Sequence, residues 1–177
     1  PQIVEKVYNS ARCHMDVEGW LNQCLEGGDL ENLEDAGQTV WGSYLIGHLK
    51  DYLQQQILSM QECIFAANEV PEFGKVAALL SDTVWQLQRL ADCGTWDEIV
   101  SRKSIDFGRL TFPKKHDYPE LAERIKAVRS SCKDGLEKLL RSFADPTEQT
   151  VQDLQQVRGA TRGLVDLVRQ FSEEYDR

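Results

Sequence analysis

Three histidines and five cysteines are the side chains of this 177-residue chain best suited to proton transfer, metal binding or nucleophilic attack, and their spacing restricts each role. His116 followed by Asp117 could form a base with its orienting carboxylate. Catalysis also needs a nucleophile, an oxyanion donor and a pocket, and no residues can be assigned to these. His48 stands where a phosphotransfer histidine would stand on a bundle helix, but such a residue needs a small, glycine-containing surround. Leu49-Lys50-Asp51-Tyr52 follows instead, so His48 is expected to flank the core near Trp41 and Tyr52. Di-metal centres in bundles need a Glu followed three residues later by His, twice, and the sequence has no such pair.

Cys13, Cys24, Cys63, Cys93 and Cys132 are odd in number and widely spaced. No two stand at the two-residue separation of zinc or redox sites, and Cys13 and His14 would diverge by about 100° on a helix. They are expected to be reduced thiols, mostly in the core, which places the chain in a reducing compartment, the cytoplasm or else the nucleus. No catalytic residue, metal or cofactor is therefore assigned.

The elements that must position these residues are helices. The fold class expected is all-α, an antiparallel bundle of four or five long helices with one short extra helical segment. Ile3, Val4, Val7, Tyr8, Ala11, Met15, Leu21, Cys24 and Leu25 predict one helix over residues 2–26, ended by Gly27-Gly28 and followed by an acidic connector with Asp29, Glu31, Glu34 and Asp35. A second helix, about 38–68, carries Leu45, Leu49, Leu53, Met60 and Ile64 on one stripe. Val40, Tyr44, Leu58 and Phe65 project roughly opposite, so this helix is either central or offers a second face to a partner.

Pro71 opens a third helix that ends before Gly94, and Thr95 with Glu98 is a capping box for a short fourth piece. Residues 104–118 form the longest connection, pinned by Phe107, Leu110 and Phe112. Pro119 to Phe143 has the most regular apolar stripe, and Asp145-Pro146 begins the last helix. Leu136, Leu139 and Leu140 are assigned to packing rather than to a receptor groove, and Gly159 and Gly163 to a tight helix crossing or a bendable turn. Trp20 and Trp85 are expected inside, Trp41 beside the stripe and Trp96 closing one end.

Charge is segregated. The first hundred residues hold 16 acidic and 5 basic side chains, whereas 102–141 holds 11 basic and 6 acidic, within a net charge of −9. Glu120 with Arg124, Glu123 with Lys126, Asp134 with Lys138 and Glu137 with Arg141 stand at ion-pair spacing, each contributing about 0.2–0.5 kcal/mol. Arg129 and Lys133 lack such partners and, with Arg102, Lys103, Arg109, Lys114 and Lys115, could form a patch for an acidic protein, another domain of the chain or an anionic membrane surface. Nucleic acid is the weakest partner class, because no aromatic interleaves with these cations as a stacking platform would need, Phe107 and Phe112 being assigned to pinning the segment, and the remaining surface is acidic.

With 41% apolar residues, no apolar run long enough to span a membrane and no signal peptide after Pro1, residues 1–177 are expected to be a single domain excised from a longer protein. The function expected is a non-catalytic scaffold or regulatory module for protein–protein interaction. It would bind an amphipathic or acidic segment through Val40, Tyr44, Leu58 and Phe65 or through the basic patch. The alternatives are an anionic-lipid-binding module and an enzyme whose site has no recognisable motif.

Overall fold

A computed structural model describes residues 2–25, 33–115 and 117–175, apart from the side chains of Gln2, Gln23, Cys24 and Tyr175. Gly27-Gly28, Asp29, Glu31, the Cys24 thiol and His116, the candidate base, lie outside what is described. All regular structure among the described residues is helical, and the chain divides into two compact units, residues 1–40 with 147–177 and residues 41–146.

The first unit contains α1 (Gln2–Ala11), α2 (Val17–Leu25), a single 3-10 turn (Ala36–Gln38) and α7 (Thr147–Tyr175). The continuous helix expected over 2–26 is broken. Past Ala11 the chain tightens, with the Cys13 and His14 amides donating to the Ser10 and Ala11 carbonyls. Asp16 then accepts a hydrogen bond from the Gly19 amide at 2.8 Å and caps α2. Met15, counted on the apolar stripe, is fully exposed.

Tyr8, Ala11 and Leu21 bury themselves against Val165 and Val168 of α7, and Arg169 of α7 binds Glu18 at 3.1 Å and Asn22 at 2.7 Å. The Thr147 hydroxyl, at the first residue of α7, accepts from the Ala36 amide at 3.1 Å. A Cβ added at Gly159 or Gly163 would meet no atom within 4 Å, so these glycines mark no tight crossing within the unit.

The second unit is built on α3 (Val40–Asn68, of which Val40 itself belongs to the first unit), α4 (Gly74–Ala91) and α6 (Pro119–Leu140). The short α5 (Trp96–Arg102) lies between α4 and the long connection to α6. Cys63 and Ala67 of α3, Val76, Ala77 and Leu80 of α4, and Ala122 and Ile125 of α6 share one core with Phe73. Leu110 and Phe112 of the long connection pack onto it, as expected.

Thr95 caps α5 by accepting from the Glu98 amide, while the Glu98 carboxylate reaches back to the Gly94 amide at 2.7 Å. The Gly94 and Thr95 amides hold the Glu98 carboxyl below its ordinary pKa. That contribution is present above the ordinary carboxylate range and is lost as pH falls through the lowered value.

α3 and α6 run antiparallel. Arg124 of α6 pairs with Glu62 of α3 at 2.7 Å rather than with Glu120, and the Tyr52 hydroxyl donates toward the Ser131 and Cys132 carbonyls at 3.0 and 3.2 Å. Burial, then Cys132 and Asp134 nearby, pushes the Tyr52 phenol up to about 12. The phenol occupies a notch left by Gly135, where an added Cβ would overlap the hydroxyl and lie 2.7 Å from Cζ.

Gly135→Ala is therefore expected to destabilise by about 2 kcal/mol despite alanine's better helix propensity. In a Tyr52→Ala background the clash is gone, and the same change should stabilise by about 0.5–1 kcal/mol. Urea melts of the four chains of this cycle check the reversal of sign. Equal effects in both backgrounds would contradict the notch.

Candidate functional site

The outer side of α3 is the first candidate surface. Advanced at about 100° per residue, Val40, Tyr44, Leu58 and Phe65 fall within an arc of about 60°, opposite the buried Leu49, Leu53, Met60 and Ala67. Their exposures are 92%, 69%, 63% and 73%. The stripe is divided by exposed Gly47, Asp51 and Gln54 into two apolar patches. His48 is exposed and stacks on Tyr44, with ring centroids 6.2 Å apart, instead of flanking the core.

The basic patch does not assemble as expected, because two of its members serve the fold. Arg129 is half-buried and donates to the Phe107 carbonyl at 2.7 Å and to that of Gly108, with its guanidinium over the Phe107 ring. Lys103 donates to the Phe143 and Ala144 carbonyls at 2.7 and 2.6 Å, closing the 3-10 turn Arg141–Phe143 that follows α6. Charge spacing cannot reveal either role, because the acceptors are backbone carbonyls supplied by distant segments.

Arg102, Arg109, Lys114, Lys115 and Lys133 are exposed. Of these, Lys133 lines a groove of about 580 Å³ with Lys103, Arg141 and the apolar Ile105, Leu136 and Leu140, whereas Arg109, Lys114 and Lys115 lie outside it. On α6 the Glu123–Lys126 and Glu137–Arg141 pairs form at 2.7 and 3.8 Å, while Asp134 accepts from the Ser130 hydroxyl.

Trp85, expected inside, is 57% exposed. It sits about 100° around α4 from the buried Val84, on the side that carries Arg89, whose guanidinium lies 4.8 Å over the indole. Trp85, Arg89 and Arg102 line a second recess, which shares Ser104 and Ile105 with the groove beside Lys133. The structure thus brings an aromatic side chain among cations that are separated from it in sequence. The missed signal was Trp85 lying off the Val76–Leu80–Leu87 stripe.

Cys63, Cys93 and Cys132 are buried free thiols, and Cys13 is exposed. Burial raises the pKa of all three core thiols, that of Cys132 to about 12, so they are poor nucleophiles near neutrality. Among the described residues, no group of three or more His, Cys, Asp and Glu is placed to hold a metal ion. None of the described helices is long and apolar enough to cross a membrane.

These features define an all-α protein of two helical units whose second unit exposes an apolar helix face and a separate basic, aromatic surface. No protein-family model matches the chain. It is similar to an ATP-dependent helicase/nuclease subunit of Bacillus mycoides strain KBAB4, 26% identical over 186 residues, covering 98% of this chain and 14% of the relative. The protein of the same name from Bacillus licheniformis is 25% identical over 179 residues, with the same coverage. That from Bacillus cereus strain ATCC 10987 is 27% identical over 192 residues, again with 98% and 14% covered. The chain spans about one seventh of the length of these curated relatives.

Proposed function

We propose that the chain is a non-catalytic helical binding module of a longer protein resembling these ATP-dependent helicase/nuclease subunits. In this proposal the outer face of α3 docks onto an amphipathic segment elsewhere in that protein or in a partner. The exposure of Tyr44, Leu58 and Phe65 on one side of a helix whose other side is fully packed carries the reading. The near-complete alignment of this chain with a small part of each relative supports its place in a longer chain. The sequence contains no G-x-x-x-x-G-K-[ST] stretch, so ATP binding in such a parent falls to other residues. The free thiols support a reducing, cytoplasmic setting.

In the full-length parent, Leu58→Asp combined with Phe65→Asp is expected to reduce ATP-dependent unwinding about tenfold, the loss of one docking hot spot. The thermal midpoint of the 177-residue chain should move by only a few degrees, because both positions are exposed. Unchanged unwinding would remove the docking role, and ATP hydrolysis by the 177-residue chain alone would overturn its non-catalytic assignment.

A further inference from the structure

We propose that the surface built from Trp85, Arg89, Arg102, Lys133 and Arg141 binds single-stranded nucleic acid, with a base stacked at Trp85 and phosphates held along the adjoining groove. It uses none of the residues of the α3 face and holds whether or not that face docks.

Charge selects a polyanion. The two recesses share Ser104 and Ile105 in their walls, and with Lys103 they are lined by five cations and one carboxylate, Glu137, on a chain whose net charge is −9. Glu137 itself pairs with Arg141 at 3.8 Å. Arg89, Arg102, Lys133 and Arg141 are exposed, with the Arg89 guanidinium over the Trp85 ring and Arg102 also donating to the Cys93 thiol at 3.9 Å.

The aromatic group then selects among polyanions. An exposed indole under a guanidinium presents flat, cationic surface, on which unpaired bases stack whatever their sequence. A duplex keeps its bases stacked on one another, and an acidic peptide offers no ring to the indole. Trp85 would add little to the binding of either.

The surface is also preformed. Gln86 of α4 clamps the backbone of Asp106 in both directions, donating at 3.0 Å and accepting at 2.8 Å. Arg129 and Lys103 fix the same stretch of chain on either side. A ligand therefore does not have to order this loop on binding.

The test is titration of the 177-residue chain with a 5′-labelled oligo-dT of about 16 nucleotides, following anisotropy and tryptophan emission together. Binding should quench the emission. Four phosphate contacts imply a weakening of about 50-fold between about 50 and 200 mM salt. Trp85→Ala should weaken binding about tenfold or more, the usual cost of losing one stacked base.

Trp85→Phe should keep most of the affinity and abolish the quench, and Arg102→Glu with Lys133→Glu should remove binding. Circular dichroism melts of each variant exclude unfolding as the cause. Several results would overturn the proposal: no binding, full affinity in Trp85→Ala, equal affinity for a duplex of the same length, or equal affinity for poly-glutamate.

Discussion

Trp96→Ala is expected to cost the residue 41–146 unit about 4 kcal/mol, enough to lower its thermal midpoint by about 20 °C. Trp96 is 1% exposed and joins three segments far apart in sequence. Its ring lies 4.4 Å from that of Phe143, after α6, and 5.5 Å edge-on from that of Trp41, at the start of α3. Its indole N–H donates to the Asp145 carbonyl at 2.9 Å.

Truncation to alanine leaves a large void, strips both rings of their packing and leaves that carbonyl short of a donor. Trp96→Phe keeps much of the apolar contact and loses only the N–H and some volume, so it should cost about 1–2 kcal/mol. Urea denaturation followed by far-ultraviolet circular dichroism checks both values. A loss below about 1 kcal/mol for the alanine variant would contradict the central place given to this ring.

Arg129→Met should destabilise the same unit by about 3 kcal/mol. Two charge-assisted hydrogen bonds to the Phe107 and Gly108 carbonyls disappear, each worth about 1.5–3 kcal/mol, while the methionine recovers only part of the contact with the Phe107 ring. Gly108 lies at φ 62°, a left-handed turn that presents these two carbonyls to one guanidinium. Arg129→Lys should recover less than half of the loss, because an ammonium cannot reproduce the planar fork.

Amide exchange over residues 104–112 should rise sharply in Arg129→Met, and that is the measurement which separates a latch from a partner ligand. Were Arg129 a free patch residue, its substitution would alter stability by no more than about 0.5 kcal/mol and leave the exchange of that segment unchanged.

The sequence-level expectations differ in quality for physical reasons. The all-α class was legible because α3, α4, α6 and α7 each carry an apolar stripe over five or more turns, and the punctuation at Pro71, Gly94 and Pro119 agrees with them. The break after Ala11 was missed because Met15 continued the period by chance, although Asp16 three residues before Gly19 carried a cap signal.

The second apolar face of α3 was legible as a pattern, and only the structure shows that it is exposed. The basic patch was legible as composition alone. Spacing along one helix cannot tell whether a cation meets a carboxylate on its own helix, as Lys126 does, or a backbone carbonyl from a distant segment, as Arg129 and Lys103 do. Nor can it place Trp85 beside Arg102, seventeen residues on and across the α4–α5 corner.

The phenol of Tyr52, seated in the notch at Gly135, has one more consequence. A slide of α3 past α6 by one residue, about 1.5 Å along the axis, would drive the ring into the wall of the notch and pull its hydroxyl off both carbonyls. The phenol thus fixes the axial register of α3 against α6 at this point.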